Sequence, residues 1–573
     1  MAKKKLTAAQ RARETAKKKK EQEKLKKEKV KAKLEKQKAA RKRAMLEKYV
    51  KIVQQTNMFP TRSDLATVGI SRDNLRHYFV NIKGMRDAAK MTFPEVFEGV
   101  VDVENYIDKK YQEALQKEIK KYKRFFITTA VNGQFVHPGF MESINTYCKK
   151  NKTKLLILPC HDPAHNLDNQ IEWHFDDVIS QNGHDIVFSE LSLNSNIHIS
   201  GLRVTAKQIN PTTGLARVSQ NKGSFIFGSP KQPLEFNPVA SKKMPHALMG
   251  TGACTVKNYK TTKGNSLRSA FLADHDHELG GLIVEIEDDK IYHFRQIQID
   301  VKGKFIDLGI EYSGKSTKAV RGTRLVLGDY HAGEHEESAV NAWEQIINQL
   351  KVEELFLHDV HNGLSTNHHE EKNMILRAKR AQEVNQISLE AELKITAREI
   401  DRMASLESVK KVVIIKSNHD EFLNRWLNEC RFKNDPINFQ LGCRLADKSI
   451  DGADPLQEGI KEVGGLKHSR KVLWLKRDQD YKFADIELGA HGDVGPNGAR
   501  GSKANLEKAY GKCVIGHSHT PGILRGVFQV GTTSKFQLGY NRGASSWMHT
   551  SCLVYPNGQR QLINSIGGKW RLK

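Results

Sequence analysis

The sequence predicts an α/β protein: a C-terminal sheet domain preceded by an α/β segment, a small helical module and a basic arm. Three observations carry that expectation. Five short apolar runs after residue 320, "RLVLGD", "ELFLHD", "KVVIIKSNHD", "IELGAHGD" and "KCVIGHSH", alternate with helical stretches, and each ends in Gly, Ser, His, Asp or Asn. Strand ends of this kind are where an α/β sheet presents ligands. The chain, at 573 residues, is too long for one core. Its net charge of +26 is uneven, because residues 1–50 hold 21 Lys or Arg against 6 Glu, a net of +15.

Composition excludes several classes. A hydrophobic share of 38% and a mean hydropathy of -0.57 fit a soluble protein, and no run of eighteen apolar residues predicts a membrane span. The basic start "MAKKKLTAAQRARETAKKKK" lacks the apolar stretch of a secretory signal. Seven scattered cysteines without a C-x-x-C pair predict reduced thiols in a cytoplasm, not a disulfide framework or a Cys-zinc site.

Residues 1–48 are mostly Lys, Glu, Ala, Gln, Arg and Leu, good helix formers with too few apolar positions for a heptad. They read as a basic helical or disordered arm. So many fixed cations point to a polyanion partner, most simply DNA, and the competing reading is a solubilising extension. Residues 49–100 read as a helix-turn-helix-like module: a helix from Thr61 to Val68, a break at Gly69, and a second helix capped by Ser71. Leu65, Ile70, Leu75 and Phe79 are expected inward, with Arg72, Asn74, Arg76 and His77 outward. Arg72, Asn74 and Arg76 are therefore candidate DNA contacts, against the plainer reading of a helical hairpin. Residues 101–320 read as a separate α/β domain of unassigned role, opening with strands "RFFITTAV" and "KLLILPC" about a helical "PGFMESINTYCKKNK".

Residues 321–573 carry the chemistry. The strand ends supply, in order, Asp329 and His331, Asp359, Asn418 and His419, His491, then His517 and His519. So many oxygen and nitrogen donors exceed one ion's needs but suit two adjacent divalent ions sharing a carboxylate. Imidazole favours manganese, iron or zinc over calcium. The glycines of "LGDYHAG" are expected to let the backbone turn sharply at the strand end.

D-x-H, then D, N-H-D, H and G-H-x-H in this order resembles the calcineurin-like metallophosphoesterases, with the Mre/SbcD-type repair nucleases as near relatives. The resemblance covers about 250 C-terminal residues. It implies a β-sandwich flanked by helices. Asp329, His331, Asp359 and His519 would hold a first metal, and Asn418, His491 and His517 a second, with Asp359 bridging. His419 would be the catalytic histidine, oriented by Asp420. Two departures stand out: His358 precedes Asp359 where glycine is usual, and Ser417 replaces the glycine of G-N-H. Two metals would clamp a phosphodiester and supply a hydroxide nucleophile, and His419 would serve the departing oxygen.

The order of arm, helical module, α/β segment and phosphoesterase also resembles the pre-early DNA-transfer proteins of long-tailed phages. That resemblance implies a manganese-dependent DNase in the cytoplasm of an infected bacterium, acting in host DNA degradation, homo-oligomeric, with a second phage protein as a possible partner. The alternatives are a phosphoesterase for small molecules or phosphoproteins, and a non-catalytic DNA-binding protein.

Four further signals are set aside. "GIEYSGKS", Gly309 to Ser316, matches a phosphate loop, but too few residues follow for the helix such a loop must open. "ADHDHELGG" and "CHDPAH" read as polar strand ends, and "NHHEEKN" as the solvated start of a helical stretch reaching about residue 405.

Overall fold

The computed structural model describes residues 8–572 except 57–58, 61, 99–106, 108, 163–165, 168–169, 172, 174, 177, 182–183, 203, 221, 241–243, 260–265, 383–385 and 540. Contacts divide the chain into two compact units, Met1–Asp102 with His165–Gln181, and Val103–Ala164 with Asn182–Lys573. No helix among the described residues is long and apolar enough to cross a membrane.

The first unit begins with one helix, Ala8–Thr56. Residues 15–44 are exposed on every face. At Leu46, Tyr49, Val50 and Val53 the sequence acquires an i, i+3, i+4, i+7 apolar stripe, and these side chains are buried. They pack with Leu65, Leu75, Phe79, Ile82 and Met85. The expected boundary at residue 48 therefore falls inside a continuous helix, whose last turns form the core of the helical module. Helices Arg62–Thr67 and Arg72–Phe79 follow as expected, and a third, Ile82–Thr92, completes the module.

Ser71 caps the second helix, as the sequence predicts, but Asn74 does not reach outward as a DNA contact. Its Oδ1 accepts from Ser71 N at 3.2 Å and Ser71 Oγ at 2.7 Å, closing a capping box. Arg72, Arg76 and His77 are exposed.

In the second unit, strands Arg324–Val326, Glu354–Leu357, Lys411–Ile414 and Val472–Trp474 lie parallel, and His549–Val554 and Arg560–Ser565 extend the sheet antiparallel. After a charged first residue (Arg324, Glu354 or Lys411) each of the first three parallel strands is apolar, because the sheet is covered on both faces. Leu325, Leu355 and Val412 enter a core with Trp343, Ile346, Leu393, Ile400 and Leu423 of the covering helices. Their neighbours Val326, Phe356 and Val413 face the other way and pack with Val514, Phe528 and Val530.

Those last residues belong to or adjoin a second, ten-stranded sheet, which draws on two distant parts of the chain. Strands between Leu191 and Gly250 form one half, and strands between Lys482 and Gln529 the other. They join where Leu234 pairs with Ile523. The segment read as a separate domain at 101–320 thus shares a sheet and a core with the C-terminal region, and no unit boundary falls at residue 320. A periodicity argument finds strands but not their partners. The expected strand–helix–strand unit is present: Arg124–Val131 and Lys154–Cys160 run parallel about helix Pro138–Asn151, inside a five-stranded sheet.

The phosphate-loop match is a β-hairpin of strands Ile310–Ser313 and Ser316–Ala319, with no helix behind it.

Arg295 ties the five-stranded sheet to the six-stranded sheet through Asp307. It is buried, its Nη1 donates to Glu285 at 2.9 Å and its Nε to Asp307 at 2.8 Å. Asp307 also accepts from Tyr147 Oη and from Gln561 Nε2 of the six-stranded sheet. Burial alone would raise the Glu285 carboxyl, but Arg295 outweighs it and holds it at about 2 against the usual 4.5. Arg295→Met strands two buried carboxylates, so it should cost about 3–5 kcal/mol, read as a lower thermal midpoint. Because the carboxyl is depressed in the fold, its stabilisation is complete above pH 4.5 and disappears as pH falls toward 2. Acid unfolding of the wild type should therefore begin below pH 4.5, and at a higher pH in the variant.

Candidate metal centre

All the predicted ligands converge at the carboxyl ends of strands from both large sheets. Asp329 and His331 follow Arg324–Val326, Asp359 follows Glu354–Leu357, and Asn418 and His419 follow Lys411–Ile414. His491 follows Ile486–Glu487 and His517 and His519 follow Cys513–Ile515, in the facing sheet. Four of these residues hold a left-handed backbone without being glycine: His331 (φ 49°), Asp359 (φ 42°), His517 (φ 72°) and His519 (φ 59°). Each costs on the order of 1–3 kcal/mol, and such strain concentrates at functional sites. Ladder-like bonds hold the turns, with His331 N donating to Asp359 O at 2.8 Å and Tyr330 N to His358 O at 2.9 Å.

Of the two glycines of "LGDYHAG", Gly333 turns the backbone as expected, with φ 93°, whereas Gly328, like Gly516 in the facing sheet, has a different reason. Neither Gly328 nor Gly516 has a positive φ. A Cβ on Gly516 would lie 2.3 Å from Asp329 Oδ1, and one on Gly328 would lie 2.8 Å from the backbone of Gly531 and Thr532. Close approach, not turning, demands glycine there.

Two donor sets share Asp359. Ligand atoms of Asp329, His331, Asp359 and His519 lie within 4.8 Å of one another. His519 Nε2 is 3.0 Å from both His331 Nε2 and Asp329 Oδ2. In the other set, Asn418 Oδ1 lies 3.0 Å from His491 Nε2 and 3.1 Å from His517 Nδ1, and His491 Nε2 is 3.3 Å from Asp359 Oδ2. His358, one of the two departures, is fully buried with Nδ1 3.2 Å from His491 Nδ1, and forms a further cluster with Asp329 and His491.

The electrostatics suit a cation. Burial pushes His331 and His358 down to about 3, so both rings are neutral at physiological pH and carry a lone pair. Burial opposes ionisation of Asp329, yet His519 brings its carboxyl to about 2, and His491 similarly holds Asp359 well below the usual range. Asp359 in turn outweighs burial at His491 and raises that ring to about 9. Asp329 Oδ1 is buried and accepts no hydrogen bond, a costly orphan that a metal ion would satisfy. Ionised carboxylates facing the neutral rings of His331 and His358 are donors a transition metal needs, and a metal at His491 would take the place of that ring's proton.

The surrounding residues differ in part from expectation. Asp420 does not orient His419. Its Oδ2 accepts from Ser417 N and Oγ, and its Oδ1 from His361 N. Burial raises its carboxyl. The second departure, Ser417, is accounted for here, since its Oγ accepts from Asp359 N at 3.1 Å while donating to Asp420 at 2.7 Å.

Asn362 performs the orienting instead. Its backbone carbonyl accepts from His419 Nδ1 at 2.8 Å, and its Oδ1 accepts from His331 Nδ1 at 3.1 Å. These bonds fix the Nδ1–H tautomer in both rings and leave each Nε2 as the available atom. The sequence analysis missed Asn362, although it lies three residues after Asp359 in "LHDVHNG". The same loop holds His361 on Thr396, and Glu392 takes the N–H groups of Leu364 and Ser365.

A cleft of about 730 Å³ opens over Asp359, Asn418, His419, His517 and His519. The "NHHEEKN" stretch forms part of its wall through His369, ahead of two separate helices, Met374–Arg380 and Leu389–Ala404. The other set-aside signals stay outside. Asp276 pairs with Lys231 at 3.0 Å, His277 with Thr255 O at 2.8 Å, and Asp162 with Lys207 at 3.0 Å. Neither stretch contributes to a metal-type cluster among the described residues.

Asn362→Ala should weaken manganese binding by about 10–100-fold, measured by calorimetry on the apoprotein, because it frees the His331 ring. Unchanged affinity would show that Asn362 does not position the ligand.

No family model matches the chain, and no solved structure matches it. Protein A1 of Escherichia phage T5 is 31% identical over 484 residues, covering 79% of this chain and 84% of the phage T5 protein. At that identity and coverage, the chain belongs to the family of phage T5 protein A1.

Proposed function

We propose that this chain is a two-metal-dependent deoxyribonuclease of the calcineurin-like metallophosphoesterase type. The observation that carries the reading is the position of Asp359, whose one buried carboxylate serves two facing donor sets. Divalent transition-metal ions held there, manganese by the resemblance, would supply Lewis-acid polarisation of a phosphodiester and a hydroxide nucleophile at neutral pH. Asp329, His331 and His519 would hold one ion and Asn418, His491 and His517 the other. His419 lines the cleft, and with Nδ1 committed to Asn362 it offers Nε2 to the substrate. Protonated, that atom stabilises the departing oxygen and then protonates it. No protein nucleophile is required.

DNA as the polymer is supported by the exposed helix of residues 15–44, cationic and free of any apolar face. A small-molecule phosphoesterase has no use for it. Kinship with a phage protein supports a role in host DNA degradation and DNA transfer in an infected bacterium.

Plasmid and linear DNA should be cut with added manganese and left intact with chelator. Asp359→Ala and His419→Ala should each lower the rate at least about 100-fold, a loss typical of a general acid or a metal site. Full activity in both variants would sink the assignment, and cleavage of a chromogenic diester without DNA cleavage would favour a small substrate. Removing residues 1–40, which spares the buried turns from Leu46 onward, should weaken DNA binding and flatten its salt dependence. An unchanged salt slope would make the helix a solubiliser.

A further inference from the structure

The walls of the cleft differ in character from its floor. Asp359 and His519 on the floor are only 1% and 3% exposed, so a reacting phosphate must descend to reach them. One wall is helix Met374–Arg380, capped by Asn373 Oδ1 on Leu376 N. Arg380 is not free for substrate: Glu370 takes its Nη2 at 2.7 Å and Gln386 its Nη1 at 3.2 Å, which fastens the helix. Lys379 lies on the same helix, and Arg542 also lines the cleft. Both are exposed, and neither makes an ion pair among the described residues. Glu370 is spent on Arg380, so no unpaired wall carboxylate offsets them. The cleft also presents apolar surface: Ile375, 75% exposed on a fastened helix, and the half-buried Trp547, whose ring stands 4.1 Å edge-on from His519, with Phe422 buried behind His419.

Unpaired cations and exposed aromatic and aliphatic surface lining one cleft make up the surface that holds a single strand, with phosphates on the cations and a base against the ring. Paired bases in a duplex cannot offer their faces to such walls, and a stiff double helix cannot fold its backbone to a recessed floor. We propose that the cleft takes an unpaired stretch of DNA, with phosphates flanking the scissile one on Lys379 and Arg542 and a base against Ile375 and Trp547. This rests on the phosphodiesterase reading for its chemistry, but binding is testable without turnover.

The test is photo-crosslinking of the full chain, in chelator, to a short single-stranded oligonucleotide carrying iodouracil, with peptides mapped by mass spectrometry. Crosslinks should fall on Trp547 and be absent with the same oligonucleotide in blunt duplex. Lys379→Ala and Arg542→Ala should each reduce the cleft crosslink about five-fold and lower its salt sensitivity, and Lys379→Arg should restore it. Crosslinks confined to Ala8–Thr56, equal yield from duplex, or no effect of either alanine would overturn the proposal. Cleft crosslinks in a protein that cuts no DNA under any metal would leave this proposal standing and remove the nuclease reading.

Discussion

The structure depends on where Asp359 is held. Its carboxylate is buried, ionised and shared between two sets of donors, and it stands on a left-handed backbone at the end of a central parallel strand. No short local segment keeps a charge there. A desolvated carboxylate costs several kcal/mol unless hydrogen bonds and opposite charge surround it. His419 N supplies a donor to Oδ1 and His491 supplies charge, and each arrives from a different strand. The two-sheet core exists, in functional terms, to bring those strand ends to one point.

That requirement explains the uneven distribution of polar groups. After their first residues the central parallel strands are apolar on both faces, and polarity begins one to three residues beyond each, at Asp329, His358 and Lys416. There it becomes dense and mutually satisfied. Ser417 is the clearest instance: in one position it fixes the Asp359 turn, holds Asp420, and leaves the next residue, Asn418, to face His491 and His517. Asp420, one residue beyond His419, secures the loop of His361 and Asn362 from the inside. Asn362 then sets the rings of His331 and His419. The departures from the family pattern are thus compensated locally, His358 by His491 and Ser417 by Asp420.

How much of this was legible in the sequence follows from the range of each interaction. The strand ends and their ligands could be read, because apolar runs that stop at Asp, Asn or His are local signals. So could the Ser71 cap, a matter of four residues. The partnership of Leu234 with Ile523 could not, since nothing in either strand names a partner nearly three hundred residues away. The separate middle domain was the resulting error. Asn74 was misassigned for a related reason: a polar residue on a helix can reach outward or back to its own cap, and only the short distance to Ser71 decides. Asn362 was overlooked because its two roles use a backbone carbonyl and an amide oxygen aimed at different rings, which no spacing rule encodes.

The charge pattern suggests how the parts divide the handling of a polyanion. A helix exposed on all sides can hold phosphates but cannot choose among them, because its contacts are screened and sequence-independent. The buried site has the opposite property. Its field is strong because water is excluded, yet it reaches only a phosphate already brought to the floor. Lys379 and Arg542 stand between these regimes, exposed enough to meet a strand from solvent and close enough to the floor to guide it. Affinity would then come chiefly from the first unit and selectivity from the cleft. The left-handed backbone at His331, Asp359, His517 and His519 is confined to residues of the candidate metal centre.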